Sequence, residues 1–186
     1  MVIGIDLDGV VYQTENWFRD YSEQYNKLIG GKVIRPDELK ISDRYDWEKE
    51  DLWQFLNDCF YEVEQNAPLY PKAKEIIDKL KKDNKIVFIT NRGRISEEEI
   101  KLTLERLGED NIPYDNIIFK QKSKLQACLD NNVDLMIDDY YKVIDELSDN
   151  GIRCLYFRDK RNKSSKNNVL EVYSWTEIDS FINEIQ

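Results

Sequence analysis

The chain has 186 residues, with 27 Lys and Arg against 37 Asp and Glu, a net charge of −10, and no histidine. At 41% apolar residues it can bury a core, which excludes a disordered chain, and its length suits one domain or one domain with an insertion. The missing imidazole excludes Ser-His-Asp and Cys-His catalysis and histidine-held metals, so any catalysis rests on carboxylates, Lys, Arg, hydroxyls or a hard metal ion.

The acidic balance argues against nucleic-acid binding. No apolar run approaches ~18 residues, so no transmembrane helix is expected. Residues 1–6 carry no basic segment ahead of a long apolar stretch, so no signal peptide is expected. Cys59, Cys128 and Cys154 are far apart and odd in number. They read as reduced, buried thiols of a cytoplasmic protein.

In chain order, residues 2–5 form a short apolar, β-branched run, the mark of a strand buried on both faces. Between residues 12 and 69 no convincing strand follows. The segment reads as helical, with Trp17, Phe18, Tyr21, Tyr25, Leu28 and Ile29, then Leu52, Phe55, Leu56, Cys59, Phe60 and Val63. Gly30-Gly31 and Arg35-Pro36 interrupt it. Apolar runs return at 86–89, 117–119, 133–137 and 152–157, with 169–173 as an edge strand.

Helix signals fall between these runs. Pro71 can open the helix of Ala73, Ile76, Ile77 and Leu80. Ser96 with Glu99 makes a capping box before Ile100, Leu104 and Leu107, with Gly108 as the stop. Ser123 with Gln126 and Ser174 with Glu177 repeat the box, and Gly151 closes the helix of Val143, Ile144 and Leu147. This βαβα alternation predicts an α/β protein with a doubly wound parallel sheet. Residues 1–11 and 70–186 would form its core, and 12–69 a helical insertion.

Reactive residues follow four of the runs. The first ends Asp6-Leu7-Asp8-Gly9, the second Thr90-Asn91-Arg92, and the fourth Asp138-Asp139, while Lys120, Lys122 and Lys124 follow the third. In an open parallel sheet the ligand lies beyond the carboxyl ends of the strands, so these groups share one rim. Crowded carboxylates without histidine suit a hard cation such as Mg²⁺ together with phosphate oxygens. One of Asp6 and Asp8 can be a nucleophile and the other a proton donor. Thr90 and a lysine can supply hydrogen bonds and charge to phosphate.

In this order the motifs resemble those of the haloacid dehalogenase superfamily: an apolar strand with D-x-D-G at 6–9, Thr90 after a strand, a lysine near a helix start, and Asp138-Asp139. The resemblance implies a Rossmann-like fold and a phosphatase. Asp6 would be the nucleophile forming an aspartyl-phosphate, and Asp8 the general acid and then base. Thr90 would hold phosphoryl oxygens and Lys124 would neutralise charge. Lys124 is preferred to Lys122 because it falls inside the Ser123-capped helix. Mg²⁺ would be held by Asp6, the Asp8 carbonyl and Asp139, with Asp138 on the ion or one layer out.

An insertion between the first two motifs occupies the position of a C1-type cap, and its aromatics (among them Trp47, Trp53 and Tyr61) could stack on a nucleobase. With the 67–73 segment, it is similar to the 5'(3')-deoxyribonucleotidases. That implies a small phosphate ester, a nucleotide, as substrate, and a monomer or homodimer. The chain departs from that family in having Asn91-Arg92 after Thr90, residues that can still contact phosphate. A phosphatase for another small phosphorylated metabolite is the nearest alternative. An aspartyl-phosphate receiver domain, or a phosphate-binding protein without turnover, is the alternative from another class. The basic stretch 158–168 reads as a solvated loop or a guide for anions.

Overall fold

A computed structural model describes residues 1–94 and 96–185, apart from the side chain of Phe60, so the expectation placed on that aromatic lies outside the described residues. Six strands form one parallel sheet in the order β3-β2-β1-β4-β5-β6. They are β1 (Val2–Ile5), β2 (Lys85–Ile89), β3 (Asn116–Ile118), β4 (Leu135–Asp138), β5 (Arg153–Phe157) and β6 (Leu170–Val172). β1 lies centrally, in register with β2 through Ile3 and Ile86 and with β4 through Ile3 and Leu135. The strand order reverses between β1 and β4, so the crevice beyond these strands is where such a sheet takes its ligand.

The β-branched runs become strands because both sheet faces are covered. One face packs Ile3, Ile5, Phe88 and Ile137 against α4 (Ala73–Leu80) and α8 (Trp175–Ile185). The other packs Val87, Ile89 and Met136 against α6 (Leu125–Asp130) and α7 (Tyr141–Asp149). Trp175 is wholly buried and its Nε1–H donates to the Val10 carbonyl at 2.9 Å, so this large ring leaves no polar atom unpaired. The three cysteines are free and buried.

Between β1 and β2 the chain forms α1 (Thr14–Ile29), a short α2 (Ile41–Arg44) and α3 (Lys49–Asn66). These have their own small core of Phe55, Cys59, Val63 and Ala67, packed by Trp17, Tyr21, Tyr25 and Trp47. Most of the insertion's aromatics are spent here; Tyr45 and Trp47 stack with centroids 4.6 Å apart. Gly30, at φ 70°, ends α1 as a left-handed cap.

Several helix ends differ from the sequence expectation. Ser96 does cap α5 (Glu97–Glu109), its Oγ accepting from the Glu99 amide at 3.2 Å. Gly108 lies inside that helix and Leu104 faces solvent. Pro71 precedes α4 by two residues, with Lys72 as a left-handed N-cap. Ser123 caps nothing: its hydroxyl donates to Glu146. Lys124 is the N-cap position of α6, drawn there by the pull of two buried carboxylates on its ammonium.

Candidate active site

Two strand ends, those of β1 and β4, place the acidic groups. The Asp6 amide still pairs with the Ile137 carbonyl of β4 at 3.0 Å, which fixes its carboxylate one residue past β1. Asp138 ends β4 and Asp139 follows it, and both are buried. Lys124 Nζ lies 2.8 Å from Asp6 Oδ1 and 2.6 Å from Asp138 Oδ2, and is buried with them. Lys122, the alternative lysine, is exposed on the cavity wall.

Asp6, Asp138 and Asp139 each offer a carboxylate oxygen within 4.8 Å of the others. Burial raises Asp6 to about 7; Lys124 opposes the rise, while Asp138 and Asp8 add to it. Burial pushes Asp139 well above the carboxylate range too, and Glu15, Asp138 and Asp6 add to that. The cluster thus holds more negative charge than Lys124 offsets.

An all-oxygen set of this kind fits a hard dication. Two further observations support that fit. Among the described residues nothing hydrogen-bonds the Asp139 carboxylate or the Asp8 carbonyl. Gly9, at φ 72°, makes room for Asp139: a Cβ there would stand 1.8 Å from its Oδ2. Asp138 is less free, because Tyr140 N–H donates to its Oδ1 and Lys124 to its Oδ2.

Asp8 and Arg92 form a second group. The Arg92 guanidinium forks on the Asp8 carboxylate, with NH2–Oδ1 at 2.6 Å and Nε–Oδ2 at 3.0 Å. Burial opposes the charge on Asp8, but Arg92 outweighs it and holds this carboxyl below its ordinary range. Arg92, expected at the phosphate, is therefore engaged by Asp8. Thr90 is fully buried and does not line the cavity; its Oγ1 accepts the Arg92 amide at 3.2 Å. Asn91 is exposed and lines the cavity.

These groups line a cavity of about 600 Å³ between the sheet rim and the insertion. From the insertion come apolar Phe18, Leu39, Ile41, Leu52 and Leu56, together with Lys40, Ser42, Glu15 and Glu64. Phe18 is the one aromatic of the insertion among the described lining residues, joined by Tyr140 from the core. A larger open groove beside α4 has its lysines 72, 74 and 79 paired with carboxylates and carries no comparable cluster.

Sequence reasoning missed two acids here. Glu15, in the first turn of α1, faces the cluster, and burial followed by Asp8 raises it to about 8. Glu64, near the end of α3, is raised by burial to about 9, and its carboxyl is hydrogen-bonded with Glu99. For Glu15 a signal existed: α1 begins five residues after Gly9, so its first turn must overlie the rim. The basic stretch 158–168 is no free patch. Arg158 pairs with Glu171, Arg161 with Asp159, and Lys163 with Glu38 of the insertion.

The fold has relatives among solved structures. Over 97% of both chains it matches a haloacid dehalogenase-like hydrolase from Streptococcus pneumoniae, with a TM-score of 0.68 and 14% identity. A haloacid dehalogenase-like protein from Agrobacterium tumefaciens matches over 99% of this chain and 98% of its own, with a TM-score of 0.72 and 11% identity. The protein has the fold of the haloacid dehalogenase-like proteins. By sequence it is 27% identical to a nucleotidase of Clostridium acetobutylicum, over 98% of this chain and 94% of the relative. Residues 1–186 match the profile of the family described as 5' nucleotidase, deoxy (pyrimidine), cytosolic type C, and the chain belongs to that family. It is accordingly a phosphomonoester hydrolase. Among the described residues no helix is long and apolar enough to cross a membrane.

Proposed function

We propose that this enzyme hydrolyses nucleoside 5'-monophosphates, with Mg²⁺ and through an aspartyl-phosphate on Asp6. The observation that carries the reading is the meeting of Asp6, Asp138 and Asp139 beside the buried Lys124 at one cavity wall. Asp6, Asp139 and the Asp8 carbonyl would hold the ion, with Asp138 supporting from beside Lys124. When bound, Mg²⁺ would offset the carboxylate charge and polarise phosphoryl oxygens.

The chain's own groups divide the remaining work. Asp6 Oδ1 is fixed by Lys124 and by the Leu7 amide at 2.8 Å, which leaves Oδ2 to attack phosphorus. The new Oδ2–P bond forms as the ester P–O bond breaks. Asp8, which Arg92 holds as the carboxylate, takes up a proton from cavity water and passes it to the leaving nucleoside oxygen, then takes one from the water that cleaves the aspartyl-phosphate. Lys124 balances negative charge on Asp6 and on the phosphoryl group. Asn91 donates to a phosphoryl oxygen, and Thr90 fixes the loop that presents it.

Residues 12–69 act as the cap. Phe18, Ile41, Leu52 and Leu56 line the same cavity as the carboxylates and give a nucleobase apolar surface. The family's own description favours deoxypyrimidine nucleotides as the first substrates to try. The test is phosphate release from a panel of ribo- and deoxyribonucleoside monophosphates and sugar phosphates, with and without Mg²⁺. Nucleotides should be preferred, and Asp6→Asn should abolish release. Equal or better turnover of sugar phosphates would overturn the substrate assignment, and Mg²⁺-independent turnover the metal.

A further inference from the structure

We infer that Arg92 is a positioning residue for the proton transfer assigned to Asp8. This rests on the proposed acid–base role of Asp8. The guanidinium is buried, and its Nε and NH2 both donate to Asp8. Its NH1 reaches Thr103 Oγ1 of α5 at 3.4 Å. Glu64 Oε1 of α3 stands 3.9 Å from Nε, and the Tyr12 ring lies 5.5 Å from the guanidinium carbon. Arg92 is thus held by Asp8 of the core and by α5, and its three guanidinium nitrogens are already engaged.

A side chain so enclosed does not sweep out to seize a phosphate. What it can do is hold one carboxylate in one orientation, since a planar fork matches two carboxylate oxygens. Asp8 keeps about a quarter of its side chain exposed, so the gripped carboxylate still reaches the cavity that Asp6 lines.

The role predicts a dependence on the leaving group that a structural or phosphate-binding role would not give. Departure of a nucleoside needs a proton, whereas p-nitrophenolate departs without one. kcat/KM reports the steps up to loss of the leaving group. Arg92→Lys keeps the charge and loses the fork. It should lower kcat/KM about tenfold to a hundredfold for a nucleoside monophosphate, and less than threefold for p-nitrophenyl phosphate. Arg92→Ala should show the same selectivity, with a larger loss. On an Asp8→Asn background, Arg92→Lys should add less than twofold.

The outcomes separate the two layers of the argument. If Asp8→Asn is selective between the two substrates while Arg92→Lys lowers both equally, the inference is overturned and the role of Asp8 stands. If Asp8→Asn lowers both equally, the acid–base reading of Asp8 falls and the inference with it. Additive losses in the double variant would also overturn the inference. Arg92→Lys retaining full activity on nucleotides would do the same.

Discussion

Gly9→Ala offers a perturbation whose effect can be worked from two distances. Gly9 and Gly30 have nearly the same backbone, φ 72° and φ 70°, so alanine meets the same left-handed penalty at both, about 1–2 kcal/mol. The surroundings differ. At Gly30 nothing lies within 4 Å of an added Cβ. At Gly9 the Cβ would stand 1.8 Å from Asp139 Oδ2 and 2.8 Å from Glu15 Cγ. Real Cβ contacts are essentially never under 3.0 Å, so the Asp139 carboxylate must retreat by about 1.2 Å, the difference of the two distances. Mg²⁺ demands near-ideal octahedral geometry at about 2.0–2.1 Å and does not follow a ligand that far. Gly9→Ala should weaken Mg²⁺ binding about tenfold to a hundredfold. It should also cost about 2–5 kcal/mol of stability, the overlap adding about 1–3 to the backbone term. Gly30→Ala should cost only the backbone term and leave Mg²⁺ binding unchanged. Calorimetric titration with Mg²⁺ and urea unfolding of the metal-free proteins read the two quantities. Unchanged Mg²⁺ affinity in Gly9→Ala would refute the placement of Asp139 on the metal.

Three further outcomes are expected. Lys124→Met removes the cation from between Asp6 and Asp138; it should abolish turnover and cost about 3–5 kcal/mol in metal-free urea unfolding, while Lys122→Ala keeps most activity. Asp6, Glu15 and Glu64 have folded values raised to about 7, 8 and 9, above the ordinary carboxylate range. The folded state therefore binds more protons than the unfolded one between roughly pH 4 and 9. Metal-free stability should fall as pH rises through this window, so the urea midpoint at pH 8.5 should lie below that at pH 5.5, with Mg²⁺ flattening the slope. Phe18→Ala should raise KM for nucleotides about tenfold, from a stacking loss of about 1–3 kcal/mol, and leave KM for a small alkyl phosphate unchanged.

The four inner strands, β2, β1, β4 and β5, were legible because each is a short apolar run buried almost throughout, which no neighbouring segment imitates. The acidic ends were legible too, since Asp6, Asp8, Asp138 and Asp139 interrupt those runs at their carboxyl ends. Helix starts were read less well wherever a tertiary contact outweighed a local cap. Ser123 has the spacing of a capping box, yet its hydroxyl turns to Glu146 while Lys124 is drawn to Asp6 and Asp138. Arg92 was read toward the phosphate because its partners Asp8, Thr103 and Glu64 lie 84, 11 and 28 positions away, separations no local pattern encodes. The buried Arg44 was equally invisible. Its Nε and NH2 donate to the Glu38 carbonyl at 2.9 and 2.6 Å, tying down the loop that brings Leu39 and Lys40 to the cavity.

The central claim is that phosphoryl transfer passes through Asp6. Its most direct test is to quench the enzyme in acid during turnover of a nucleoside monophosphate with Mg²⁺ and locate the phosphoryl group by peptide mass. The account predicts a phosphorylated Asp6, chased by further incubation before the quench and absent in Asp6→Asn. Turnover without phosphate on Asp6, together with an active Asp6→Asn enzyme, would contradict it.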